Sequence, residues 1–390
     1  MFFQVLQDRL FLNGALKTFE FSDLLTHTWD YKRIIGQNYV ECARIWAKGK
    51  SLDECCPEFL KNDWETNQSR VKAFLKSFMA VGLSPSNVNL VETVPQKFLN
   101  KYLSNINQIS EHVFKTEEKP ENYDFMLELH QMLSEISDQV LKIDHNFLKT
   151  KIADPYYKRL YKKLSLNVPR IAYNPYGTIT GRLGVQSGSF PILNLAREAR
   201  RMLVPNNHCF IELDFNAAEL RVLLALSDKE QPDIDIHEWN AKNVFKQDLN
   251  RDEIKKKTFS WLYNPKAVDK QLDICYNKQH VLNKHYNGSE IETIFNRKIK
   301  SDNHHALNYL IQSTTSDLFL RQAIKIWKML KGKKTNVAFT IHDSLVLDFH
   351  LSDKGMVERI IEEFSDTSLG KFKVNISGGK NFGEMKEMNL

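Results

Sequence analysis

The sequence contains no Cys-x-x-Cys pair, no apolar run long enough to span a bilayer, no internal repeat and no low-complexity tract. Its cysteines, Cys42, Cys55, Cys56, Cys209 and Cys275, are odd in number and argue against a disulfide framework or a zinc ribbon. Reduced, mostly buried thiols are expected instead. The opening MFFQVLQDRLF lacks the basic start and long apolar core of a secretion signal, so a cytosolic protein is expected, with no membrane association. Charge is only mildly biased: a net +6 at pH 7 and a pI near 8.8 suit a polyanionic partner without demonstrating one. With 42% hydrophobic and 26% charged residues, a chain of 390 residues can bury a large core in more than one structural unit.

RLFLNGALKTFEF sets two apolar runs around Asn13-Gly14, the signal of a tight hairpin. Residues 25 to 80 read as mainly helical. Phe98, Leu99, Tyr102, Leu103, Ile106, Ile109 and Val113 then recur at helical spacing, as do Phe125, Leu129, Leu133, Ile136, Val140 and Ile143. Pro120 separates the two runs, which predicts a pair of antiparallel amphipathic helices. After about residue 165 the character changes. RIAYNPYGTITGRL is rich in turn formers, IELDF is a short strand, AAELRVLLALS is helical, NVAFTIHDSLVLDFH is a hairpin and KFKVNIS a further strand.

Two acids sit inside apolar runs: Asp214 at the end of IELDF and Asp343 at the centre of TIHDSLVL. Such acids carry a desolvation cost unless something compensates it. If neighbouring strands present both carboxylates at one sheet edge, divalent cations supply the compensation. Two Mg²⁺ ions about 3.5–4 Å apart would then clamp the oxygens of a phosphoryl displacement. Taken singly, Asp214 can equally cap the following helix and Asp343 occupy a turn. Between them lies RDEIKKKTFSWLY, in which Arg251, Lys255, Phe259 and Tyr263 recur every four residues. On a helix they form one line about 18 Å long, two cations followed by two aromatics. A nucleoside triphosphate has that distribution of charge and planarity. The simpler alternative is an amphipathic helix with solvated lysines and a core of Phe259, Trp261 and Leu262.

In this chain order the segments resemble the family A DNA polymerases, the bacterial DNA polymerase I group and its phage relatives. DFNAAELR looks like the first catalytic motif, the line of four like the nucleotide-binding helix of the fingers, and TIHDSLV like the third motif. TITGRL with Asn194, DIHEWNAKNVF, ALNYLIQSTTSDL and GGKNFGEM resemble four further family segments in the same order, and the match runs from about residue 165 to the end. The resemblance implies an α+β right hand with a palm β-sheet, small helical fingers, a helical thumb and a mainly helical N-terminal region. Its parts would be 91–165 for the thumb, 166–230 and 301–390 for the palm, and 231–300 for the fingers. Residues 1–90 match none of its segments.

The implied activity is primer-dependent, template-directed DNA synthesis from dNTPs with two Mg²⁺ ions. Asp214, Asp343 and the backbone carbonyl of Phe215 would hold the metals. Arg251, Lys255, Phe259, Tyr263, Glu219 and His237 would bind the nucleotide, with Tyr263 and Glu219 blocking a 2′-hydroxyl. Arg182, Thr180, Asn308, Gln312, His342 and His304 would meet the primer-template. The third motif departs from the family with Ser344 in place of Glu, Asn264 replaces a Gly after Tyr263, and His304 replaces an Arg. Asp63-Trp64-Glu65 has the spacing of an exonuclease motif but lies in a helical pattern, so no proofreading domain is expected. A separate exonuclease or replisome protein would then be a partner, and the small form suggests a phage or other mobile element acting in its host's cytoplasm. A single-subunit RNA polymerase and a catalytically inactive primer-template-binding protein are the competing readings.

Overall fold

The computed structural model of the chain describes residues 50–82, 93–166, 168–246, 250–264 and 267–388, together with the backbone of four two-residue strands before residue 43. The hairpin expected around Asn13-Gly14 lies outside the described residues. The chain divides into two compact units, Met1–Ser134 and Glu135–Leu390.

In the first unit, the helix expected from residue 25 is corrected over its opening stretch. His27–Thr28 pairs in parallel with Glu41–Cys42, and Ile34–Ile35 pairs antiparallel with Asn38–Tyr39. β-Branched and aromatic residues here favour pleated pairing over the helix that spacing alone suggested. Helix α1 (Lys61–Ala80) and helix α2 (Gln96–Thr116) follow, and α3 (Tyr123–Asp138) spans the division between the units. Trp64, Val71 and Leu75 of α1 share one core with Leu99, Tyr102, Ile106, Ile109 and Val113 of α2, as the helical spacing requires. The Trp64 ring stacks on Tyr102 at 5.6 Å while its Nε1 donates to Asp53 at 2.6 Å, so the indole is buried without an orphaned donor. Asp63 and Glu65 flank it on the exposed side of α1, within a helix and not on a strand.

The second unit is built on a five-stranded antiparallel sheet. Its strands are β1 (Cys209–Phe215), β2 (Asn336–Ile341), β3 (Ser344–Phe349), β4 (Val374–Gly379) and β5 (Lys386–Glu387), arranged in the order β2-β3-β1-β4-β5. The alternation in CFIELDF decides what β1 does. Ile211, Leu213 and Phe215 face one side and are buried, whereas Glu212 and Asp214 face the other and are half-exposed. Helices α4 (Ala218–Leu226), α5 (Ile236–Asn240), α6 (Arg251–Tyr263), α7 (Ala306–Met329) and α8 (Val357–Ser365) pack in the same unit, alongside further helices that include Pro155–Leu166 and Lys278–His285. Beneath the apolar face, Phe215 stacks on Phe364 of α8 at 4.4 Å and meets Phe372 edge-on at 5.5 Å. That aromatic cluster fixes the residue next to Asp214.

Replacing Phe364, which is fully buried, with Ala is expected to destabilise this unit by about 3–5 kcal/mol, read from denaturant unfolding. A loss below about 1 kcal/mol would show that the cluster does not anchor the strand.

Candidate functional site

Antiparallel pairing puts opposite residues on the same face of the sheet. Asp214 lies opposite Ser344 on β3 and opposite Asn375 on β4. Glu212 lies opposite Ser377 on β4, so Glu212, Asp214, Ser344, Asn375 and Ser377 form a polar strip across three strands. Asp343 enters from the turn between β2 and β3. Ile341 pairs with Ser344, which leaves a two-residue loop of His342 and Asp343. His342 takes a positive φ of 51°, as the twist of such a tight loop demands.

Electrostatics tie the two aspartates together. Burial pushes the Asp214 carboxyl up to about 7; repulsion from Glu212 and Asp343 adds to this, and the Asn375 amide at 3.4 Å and the charge of Lys255 oppose it. Asp343 is likewise raised by burial, against the pull of Arg182 and His342. Glu219 is raised to about 7, again mainly by burial, with Arg182 lowering it and Asp343 raising it. Three acids thus share one poorly compensated patch. Among the described residues no three acidic, histidine or cysteine side chains close on one point. The donor set nevertheless fits a hard divalent cation such as Mg²⁺: it consists of carboxylate oxygens, is short of compensating charge, and leaves positions for water and substrate.

Helix α6 is oriented by its buried stripe of Ile254, Thr258, Trp261 and Leu262, with Asn250 accepting from the Asp252 amide at its start. Arg251, Lys255, Phe259 and Tyr263 are therefore turned to another face. Arg251 and Lys255 are exposed and Phe259 is half-buried, so it is Trp261 and Leu262, without Phe259, that belong to the core. Phe259 and Tyr263 stack at 5.8 Å, 9° from parallel. A cavity of about 670 Å³ is lined by Asp214, Glu212, Asp235, Arg251, Lys373 and Asn375, among others. The cationic end of α6 and the acidic edge of the sheet thus line one space, and Lys255 is close enough to act on Asp214.

The remaining sequence candidates divide. Arg182 joins the acids: its Nη2 meets Glu219 Oε1 at 2.6 Å, and Glu219 also accepts from the Tyr263 hydroxyl. Gly181 before it has φ +77°, and a Cβ there would approach the Arg297 guanidinium to 2.5 Å. That guanidinium is held at 2.9 and 2.7 Å by Asp317, so the position admits only glycine without rearrangement. His237 is buried against Phe259 at 5.7 Å and does not line the cavity. Burial holds its pKa down to about 4, so the ring is neutral at physiological pH. Thr180 is buried, and Asn308 and Gln312 lie half-buried one turn apart on α7. His304 is exposed beside His305.

Sequence reasoning missed Glu212, Asp235, Lys373 and Asn375. Glu212 was legible, two residues before Asp214 on the same face of IELDF. Asp235 precedes the helix Ile236–Asn240 as an N-cap, accepting from the amides of His237 at 2.9 Å and Glu238 at 3.2 Å. It also receives Arg251 and Asn216, each at 2.7 Å. Although burial alone would raise it, these bonds hold the Asp235 carboxyl well below the usual range. Asn375 lies on β4 and Lys373 just before it, far along the chain, and only the sheet order brings them here.

No protein-family model matches the chain, and no curated protein sequence does. Among solved structures, its fold is similar to that of the POL domain of Pol1 from M. smegmatis, in complex with DNA primer-template and dNTP. That similarity has a TM-score of 0.56 at 13% identity and covers 74% of this chain and 76% of the other. The chain therefore has a polymerase-type α+β fold. Among the described residues no helix is long and apolar enough to cross a membrane.

The raised Asp214 carboxyl has a measurable consequence. A carboxyl whose native pKa of about 7 exceeds its ordinary 3.8 binds more protons folded than unfolded. Its contribution to stability is present at low pH and is lost as pH rises through the native value. Asp214→Asn removes the titration. In chelator the variant is expected to melt above the parent at about pH 8 and to converge with it near about pH 4. A difference that does not change with pH would contradict this.

Proposed function

We propose that the chain is a template-directed, primer-dependent DNA polymerase that joins dNTPs to a primer 3′-hydroxyl, without a proofreading exonuclease of its own. The observation that carries this reading is the shared cavity in which Asp214 faces Arg251, within a polymerase-type fold. Asp214 and Asp343, with the backbone carbonyl of Phe215, would hold two Mg²⁺ ions, which when bound neutralise the charge of phosphoryl transfer.

The chain's own residues do the rest by positioning and by charge. Arg251 and Lys255 hold the triphosphate. Phe259 packs on the sugar, with the neutral His237 ring buttressing it from behind. Tyr263, bonded to Glu219, closes the space that a 2′-hydroxyl would need, which favours deoxynucleotides over the RNA-polymerase alternative. Arg182, Asn308 and Gln312 face the duplex near the primer end, with the buried Thr180 supporting the segment that carries Arg182, and acceptors common to all base pairs allow contacts that tolerate any sequence. His342 flanks the primer terminus and His304 the DNA beyond it. Helices α2 and α3 act as the thumb.

Primer extension with Mg²⁺ tests the reading. The parent is expected to extend a primer with dNTPs, and Asp214→Ala to lose activity by about a hundredfold or more while still binding primer-template. A parent that binds primer-template but adds no nucleotide would overturn the assignment. A parent that prefers ribonucleotides would favour an RNA polymerase. Within the nucleotide site, Phe259→Tyr is expected to relax discrimination against dideoxynucleotides; equal incorporation by parent and variant would count against the placement of this residue.

A further inference from the structure

Glu212 is the second acid on the cleft side of β1 and stands outside the proposed two-aspartate centre. Its Oε1 accepts from Ser344 Oγ at 2.5 Å and its Oε2 from Ser377 Oγ at 3.1 Å. One carboxylate thereby ties three strands, β3, β1 and β4, at the edge where Asp214 lies. The bond to Ser344 runs diagonally, because Ser344 is directly opposite Asp214. Ser344 is almost fully buried, so water does not compete for its hydroxyl.

Ser344 also follows Asp343 directly and closes the two-residue turn. In that turn His342 holds a left-handed backbone, φ 51°, a conformation that a residue with a side chain keeps only where its surroundings enforce it. The Ile341–Ser344 pairing enforces it from the ladder, and the Ser344–Glu212 bond enforces it from the side chain. The resembling family carries Glu at position 344; here that residue is Ser, and a carboxylate stands on the adjoining strand within hydrogen-bond reach of it.

We propose that Glu212 is a positioning residue for Asp343: its carboxylate grips the Ser344 hydroxyl and so holds the His342–Asp343 turn in register with Asp214. The carboxylate at this sheet edge stands at position 212 on β1, and position 344 on β3 supplies its hydroxyl donor. This rests on the polymerase reading, because nucleotide addition is what the positioned carboxylate serves.

The test is single-nucleotide insertion by the full chain, with primer-template affinity measured separately by fluorescence anisotropy. Glu212→Ser is expected to lower kcat by about tenfold or more, with KM for dNTP and Kd for primer-template within about twofold of the parent. The exchange variant E212S/S344E, which reverses the strands of donor and acceptor, is expected to recover to within about threefold of the parent. Glu212→Gln keeps one acceptor oxygen and is expected to remain within about threefold. The proposal is overturned by parent-like kcat in Glu212→Ser, or by an exchange variant that folds yet is no better than Glu212→Ser. Should the exchange variant not fold, Glu212→Gln decides: an amide as damaging as Ser would mean that charge, and not the grip on Ser344, is what matters. A parent without insertion activity overturns the polymerase reading as well, whereas an active parent matched by Glu212→Ser overturns this proposal alone.

Discussion

A guanidinium with no solvent exposure holds the sheet edge and the helical arm together. Arg221, on α4, donates Nε to the Asn216 carbonyl at 2.8 Å, Nη1 to that of Pro232 at 2.8 Å and Nη2 to that of Ile234 at 2.7 Å, with the Asn216 side chain at 3.2 Å. Burial pulls its pKa down to about 10, against the attraction of Asp235, and it stays charged at neutral pH. A buried charge is tolerated only when every direction of it is satisfied, and here the partners are Asn216 before α4 and the carbonyls of Pro232 and Ile234 in the bend after it. The bend delivers Asp235 to the head of α5, and Asn216, the residue after Phe215, accepts the Ile236 amide at 3.0 Å. From Asp214 to Arg251 the chain of contacts thus passes through Asn216, Arg221 and Asp235, none of which needs to touch a ligand.

What could be read from the sequence were periods. The strand IELDF with Asp214 near its end could be read, though not the side that acid faces, and the four-residue spacing of α6 set Arg251 and Lys255 on one line. The hairpin around Asp343 followed from two apolar runs with a polar centre. Hidden were the things that depend on neighbours distant in sequence. Strand β4 arrives more than a hundred residues after β1, yet it supplies Asn375 and Ser377 to the same face. Spacing also could not separate Phe259 from Trp261 and Leu262, because all three are apolar and only packing decides which of them turns inward. Apolar residues early in the chain fit either period, and where residues between 27 and 42 are described they form short paired strands.

At 13% identity to the polymerase domain it resembles in fold, the chain illustrates how little of a sequence a fold consumes. Leu213, Phe215 and Phe364 need only be apolar and of fitting volume, and many residue sets satisfy that. The polar strip is different. It needs acceptors and donors in matched number, and here the Glu212 carboxylate on one strand accepts from the Ser344 hydroxyl on the next and from Ser377 on a third.

Arg251 does not wait in the cleft as a free charge, since Asp235 already holds it. On the proposed reading, an entering anion would share the guanidinium with that carboxylate or compete with it for Nη2, and Asp235 is tethered where the anion is not. A singly charged visitor has little to offer in such an exchange. A polyphosphate, with several oxygens to present at once, has more. If Arg251 receives a nucleotide as proposed, the pairing would act as a threshold that favours ligands carrying several charges over stray monoanions.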